Sequence, residues 1–189
     1  TEIRAHGRRA WAFGADLSRR EEVERVIASI RDAAGSPDIL VCAAAINERP
    51  PMQALEPDVW DRTLRVNLDA PYLFARAFAP EMARRGWGRL VNMASLQSVR
   101  SFNNSGVYGV SKAGIAQLTR VLAEAWSKHG VTSNAIAPGF FETPMTRAVF
   151  SDPAKAQAVA ARTMIGRNGA IDDVRGMIAF LASPASDYV

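Results

Sequence analysis

Residues Gly88 to Lys128 read GRLVNMASLQSVRSFNNSGVYGVSKAGIAQLTRVLAEAWSK, and the rest of the chain is read outward from this stretch. Arg89 to Ala94 is a short run containing Leu90, Val91 and Met93, the pattern of a buried strand. A polar loop, Ser95 to Asn104, follows, and then a helical pattern with Tyr108 and Lys112 near its start. Residues four apart share one helix face, so the phenol and the ammonium are neighbours. A free tyrosine titrates near ~10 and is no base at neutral pH. An adjacent cation lowers a pKa by roughly one to three units, which would make the phenol a working acid–base group. Ser95, at the strand's end, adds a hydroxyl. Spacing alone is also that of an ordinary surface pair, so the surroundings have to decide.

Upstream, Thr1 to Gly7 reads as the tail of a helix stopped by Gly7. Arg9 to Ala15 is a strand candidate ending at Asp16-Leu17. Ser18 to Glu21 has the form of a capping box, opening a helix with Val23, Val26, Ile27 and Ile30 on one stripe. Asp38 to Ala44, DILVCAA, is a continuous apolar run, as expected of a parallel strand covered on both faces. A long helical region runs from about Pro57 to Arg85, with Pro71 marking a kink or break. Downstream, Val131 to Ala137 is a strand and Pro138-Gly139 a turn. Phe140 to Met164 has weak apolar periodicity and reads as a mobile lid, and Asp172 to Leu181 is a final helix. Strands alternating with helices predict an α/β fold, a doubly wound parallel sheet in three layers. Ligands of that fold bind beyond the carboxyl ends of the strands. Asp16, Ala43 to Ala45, Ser95 and Pro138-Gly139 all fall at such ends.

At 189 residues, 48% of them hydrophobic, one domain spanning the whole chain is expected. No run of ~18 apolar residues is present, so no membrane partner is expected. Thr1 opens a charged segment and not an apolar one, so a cytoplasmic location is expected. Cys42 is the only cysteine, which excludes a disulfide framework and a cysteine metal cluster; it reads as an inert buried thiol. His6 and His129 read as solvated, and no metal site is expected. The net charge of +4 comes largely from scattered arginines without interleaved aromatics, a solvated surface rather than a nucleic-acid site.

The serine followed by YGVSK resembles the pattern of the short-chain dehydrogenase/reductase (SDR) family, classical type. Asn67 in RVNLDAPY matches the position of that family's fourth catalytic residue. NAIAPGFFETPM (Asn134 to Met145) and GRNGAIDDVRGMIAFLASPASDYV resemble its later motifs. The resemblance covers nearly the whole chain. It implies a Rossmann-like fold and hydride transfer between NAD or NADP and an alcohol or ketone, with a sugar, polyol or hydroxy-acid as substrate. It implies catalysis by Asn67, Ser95, Tyr108 and Lys112, with Lys112 lowering the Tyr108 pKa. Cofactor contacts would come from Asp16, Leu17, Ala43, Ala44, Ala45, Tyr108, Lys112, Pro138, Gly139 and Thr143. Substrate contacts would come from Gln97, Asn103, Phe140 and Phe141. A homotetramer or homodimer is implied as well.

Two departures stand against that pattern. The family's glycine-rich pyrophosphate turn does not occur in the sequence, so the sheet is expected to lack its first two strands and its last, and the domain to be incomplete at both ends. Where the family carries N-N-A-G, this chain has CAAA, Cys42 to Ala45. The alternative reading is therefore a non-catalytic dinucleotide-sensing or scaffold protein of the same fold.

Overall fold

A computed structural model describes residues 2–189. In chain order it contains α1 (Glu2–Ala5), α2 (Arg20–Ala34), β1 (Ile39–Cys42), α3 (Pro57–Leu64), a π-helical turn (Arg65–Asp69) and α4 (Ala70–Arg85). Then come β2 (Gly88–Met93), α5 (Gly106–Trp126), β3 (Val131–Ile136), α6 (Arg147–Phe150), α7 (Pro153–Ala160) and α8 (Asp172–Leu181). The sheet is wholly parallel in the order β1-β2-β3. Each crossover runs through a helix, as parallel neighbours require.

Alternation of side chains sorts the two faces. Leu40 and Leu90 belong with the packed face, where Asn92 donates to Thr119 Oγ1 of α5 at 3.0 Å. The core there joins Val23 and Ile27 of α2, Leu73, Phe78 and Met82 of α4, Leu122 of α5 and Val131. On the other face β2 is covered, but Ile39 and Val41 of β1 remain 38% and 44% exposed. The expected two-sided burial of β1 is therefore corrected: its burial alternates, because nothing among the described residues covers its second face. Arg89, 1% exposed, points to that face. It donates to the Ser183 carbonyl, pairs with Asp187, and stacks on Trp87 at 4.3 Å. The C-terminal segment is thereby tied to the middle strand.

Two further local readings are corrected. Arg9 to Ala15 is irregular, since no neighbouring strand offers it backbone partners. Ser18 does not cap α2, which starts at Arg20 after Arg19. Instead the Asp16 carboxylate accepts both the Ser18 amide (2.9 Å) and its hydroxyl (2.7 Å). The irregularity expected near Pro71 is present as a π turn: the backbone stays helical through Asp69 and Ala70, and Pro71, which has no amide hydrogen to donate, follows directly after the turn.

Gly86 and Gly130 end the helices that lead into β2 and β3, with φ of 74° and 79°. A methyl group at Gly86 meets open space, whereas one at Gly130 would lie 2.1 Å from the Gly86 carbonyl oxygen. Gly86→Ala should cost about 1 kcal/mol, the left-handed penalty alone. Gly130→Ala should cost about 3 kcal/mol or more, because two strand entrances must separate. Urea unfolding of the two variants side by side checks the difference.

Candidate active site

β2 ends at Met93, and its next residues turn into the loop that carries Ser95. Ser95 Oγ accepts from the Gln97 amide at 3.2 Å, and the Ser95 amide donates to Ser98 Oγ at 3.2 Å. Ser98 Oγ in turn donates to the Lys112 carbonyl at 2.7 Å, tying this loop to α5. Tyr108, on the first turns of α5, is 7% exposed and Lys112 3%. The Lys112 ammonium donates to the Met93 carbonyl at 2.6 Å and lies 5.7 Å from the centre of the Tyr108 ring. Ser95, Tyr108 and Lys112 thus meet at the carboxyl end of the middle strand.

Burial pushes the Tyr108 phenol above its ordinary value; a hydrogen bond from the Ser95 side and the positive charge of Arg49 work the other way. The expected pull of Lys112 on the phenol is corrected here, because its ammonium is bonded to Met93 rather than to the hydroxyl. Burial lowers Lys112 to about 8, and the neighbouring Cys42 offsets this slightly. Burial pushes the Cys42 thiol up to about 12, so it is no nucleophile at neutral pH.

Asn67 is fully buried in the π turn. Its Oδ1 accepts from the Ile46 amide at 2.8 Å, while Nδ2 donates to the Ile46 carbonyl (2.9 Å) and to Ser111 Oγ (3.0 Å). Its side chain therefore fastens the loop after β1 to α5. That loop carries Arg49, which the sequence reading missed and for which no sequence signal exists. Arg49 Nε donates to the Asn104 carbonyl at 3.1 Å, and Nη2 donates to the Asn103 carbonyl. Asn103 thus enters the site through its backbone. Gln97 lies beside Gly109, and its Oε1 is buried without a partner. Phe140 packs edge-on against Phe102 at 6.4 Å, and Phe141 bridges to Gly169.

The residues expected to contact a dinucleotide lie along the same edge. Ala43 and Ala44 are exposed after β1, with Ala45 half-buried. Pro138 and Gly139 follow β3, and a methyl group at Gly139 would meet nothing within 4 Å. Thr143 donates its amide to Thr146 Oγ1 at 3.0 Å. Asp16 and Leu17 stand before α2, where hydrogen bonds from Ser18 hold the Asp16 carboxyl below its usual range. Among the described residues, no group of three metal-ligating side chains occurs.

A family model described as enoyl-(acyl carrier protein) reductase matches residues 1–189. The 2-dehydro-3-deoxy-D-gluconate 5-dehydrogenase of Pseudoalteromonas atlantica is 34% identical over 188 residues, 100% of this chain and 74% of that protein. This chain belongs to the short-chain dehydrogenase/reductase family. Gluconate 5-dehydrogenase of Gluconobacter oxydans is another SDR relative, 32% identical over 98% of this chain and 72% of its own length. The crystal structure of a gluconate 5-dehydrogenase from Burkholderia cenocepacia, in complex with NADP and tartrate, superposes with a TM-score of 0.92 at 36% identity. It is matched over 100% of this chain and 74% of its own. As an SDR the chain is an NAD(P)-dependent oxidoreductase acting on an alcohol or ketone. Among the described residues, no helix is long and apolar enough to cross a membrane.

The perturbed groups set a stability profile. The folded Lys112 value, about 8, lies below its unfolded value of 10.5. Between the two, the unfolded chain holds a proton that the folded one has released, so stability rises with pH, by about 1.4 kcal/mol per unit. Cys42 acts oppositely above 9.0, where the unfolded thiol ionises and the folded one does not. Stability should therefore rise from about pH 8 to 9 and then level off. Lys112→Met should remove the rise and leave a decline above about pH 9. Urea midpoints across pH 7–10 check both curves.

Proposed function

We propose that this protein oxidises a sugar acid, or reduces the corresponding keto acid, with Ser95, Tyr108 and Lys112 as its catalytic group and Asn67 as the residue that positions it. The observation that carries the reading is the convergence of Ser95, Tyr108 and buried Lys112 at the end of β2. The sugar-acid substrate rests on the names of the relatives, dehydrogenases of gluconate and 2-dehydro-3-deoxy-D-gluconate. The choice of NADP as cofactor rests on the solved gluconate 5-dehydrogenase that holds it.

A bound nicotinamide dinucleotide would supply or take up the hydride. Tyr108 handles the proton: its hydroxyl donates to the carbonyl oxygen during reduction and accepts from the alcohol during oxidation. Ser95 Oγ holds the same oxygen. Lys112 would hold the ribose hydroxyls, through which the proton that Tyr108 gives up in reduction would be resupplied and the one it takes up in oxidation would leave. Asn67 is a positioning residue, keeping the β1 loop and α5 in register. Asp16 and Leu17 border the adenine; Ala43 to Ala45, Pro138, Gly139 and Thr143 border the remaining dinucleotide. Gln97, Asn103, Phe140 and Phe141 border the substrate. The chain works as one domain, in the cytoplasm, as a homodimer or homotetramer built through the exposed Tyr72, Val110 and Val121 of α4 and α5.

The enzyme is tested on D-gluconate, 5-keto-D-gluconate and 2-dehydro-3-deoxy-D-gluconate with NADP(H) and NAD(H). Turnover of at least one acid is expected. Tyr108→Phe should lower that turnover on the order of a hundredfold or more while NADPH affinity stays within a few-fold. Oxidation of neutral alcohols alone would refute the substrate class, and a variant keeping more than about a tenth of the rate would refute the role of Tyr108.

A further inference from the structure

We infer that Ser98 is a positioning residue for the reaction: its hydroxyl fixes Ser95 relative to Tyr108 and Lys112 by bridging the Ser95 amide to α5. This rests on the reading above, in which Ser95 holds the reacting oxygen.

Ser95 is extended, with φ of −161° and ψ of 163°, and stands before a single 3-10 turn, Leu96–Ser98. The two serines satisfy each other. The Ser98 amide donates to the Ser95 carbonyl at 2.9 Å, and the Ser95 amide donates to Ser98 Oγ at 3.2 Å. Ser95 Oγ accepts from the Gln97 amide at 3.2 Å, which leaves its own hydrogen for an acceptor outside the turn. This is the reciprocal pattern of a capping box, whose fourth residue is usually Glu or Gln. A carboxylate there only accepts, whereas a hydroxyl accepts and donates. Ser98 does both, passing its hydrogen to the Lys112 carbonyl at 2.7 Å. Among the described residues, this is the one hydrogen bond from Leu96–Ser98 to α5. Because that hydrogen is spent inside the protein, Ser98 is no substrate donor and acts through Ser95.

Lys112 thus holds the Ser95 loop on both sides. Its ammonium binds the Met93 carbonyl at 2.6 Å, two residues before Ser95, and its carbonyl takes the Ser98 hydroxyl, three residues after. The two anchors differ in durability. On the reading above, the ammonium turns to the ribose hydroxyls, and its hold on Met93 is then shared. The Ser98 bond ends on the main chain of α5 and is independent of where the ammonium points. It is therefore the anchor that keeps Ser95 in place while dinucleotide and substrate are both bound. Ser95 and Tyr108 have to reach one oxygen, and a misplacement of about 1 Å costs up to ~100-fold in rate.

The test is a double-mutant cycle in the full-length enzyme: wild type, Ser98→Ala, Ser95→Ala and the pair. Single-turnover hydride transfer is followed with saturating NADP and whichever acid of the panel above is oxidised, beside kcat, KM and NADPH affinity by fluorescence. Ser98→Ala should lower the hydride-transfer rate and kcat on the order of tenfold, with KM and NADPH affinity within a few-fold of wild type. In the Ser95→Ala background the same change should cost no more than about twofold further, because the group it positions is gone. Ser98→Cys keeps the side chain's volume and weakens both bonds. It should lie between, and it carries the same cycle if Ser98→Ala does not fold.

An unchanged rate in Ser98→Ala overturns the proposal. So does an equal loss with and without Ser95, or a joint loss of kcat, substrate affinity and NADPH affinity, which marks general loosening of the loop. If Ser95→Ala alone turns over as fast as wild type, the role given to Ser95 above fails, and this outcome is distinct from a Ser95-dependent enzyme indifferent to Ser98.

Discussion

The site depends on the hydrogen bond from the Lys112 ammonium to the carbonyl of Met93. A cation that is 3% exposed has lost most of its hydration, and one carbonyl offsets only part of that loss. The shift of Lys112 to about 8 is the direct consequence. The same bond ties α5 to the end of β2. Tyr108, one turn earlier on the helix, stands over the loop that carries Ser95. The bond from Ser98 Oγ to the Lys112 carbonyl holds the other end of the loop to the same residue.

Asn67 extends this framework toward the first strand. The π turn widens the helix by one residue and turns the amide inward, where it holds both backbone groups of Ile46. Its remaining hydrogen goes to Ser111, the neighbour of Lys112. The loop after β1 is thereby locked to α5, and Arg49 at its far end bonds the segment in front of α5. Two loops from different strands are closed over one helix start. All three of the side chain's hydrogen bonds are thereby engaged, which accounts for a fully buried asparagine.

The opposite end of the sheet is held by different chemistry. Arg89 is as buried as the hydrophobic core, yet it binds the Ser183 carbonyl and Asp187 of the C-terminal segment as well as the neighbouring Gly88 carbonyl and Trp87 ring. A guanidinium suits that place because it is weakly hydrated and has donors in several directions. The expectation from sequence placed Arg89 at the edge of an apolar strand and assigned it no partner, since Ser183 and Asp187 lie almost a hundred residues away in the chain.

Much of the fold was legible because its signals are local. The runs at Leu90 to Met93 and Val131 to Ile136, the stripe of Val23, Val26 and Ile27, the helix stop at Gly86 and the irregularity near Pro71 each follow from a few neighbouring residues. The Ser95, Tyr108 and Lys112 set was legible because helix spacing and a strand end allow them to meet and the resemblance to the SDR pattern of a serine followed by YGVSK selects that reading over an ordinary surface pair. Arg9 to Ala15 failed as a strand because strand structure needs a paired neighbour, which composition does not provide. The direction of the Lys112 ammonium, the use of both Asn67 hydrogens, and the arrival of Arg49 over Asn103 and Asn104 were decided by tertiary structure alone. Each joins residues from separate elements, and a side chain's partner is set by the packing of those elements rather than by its own sequence neighbours.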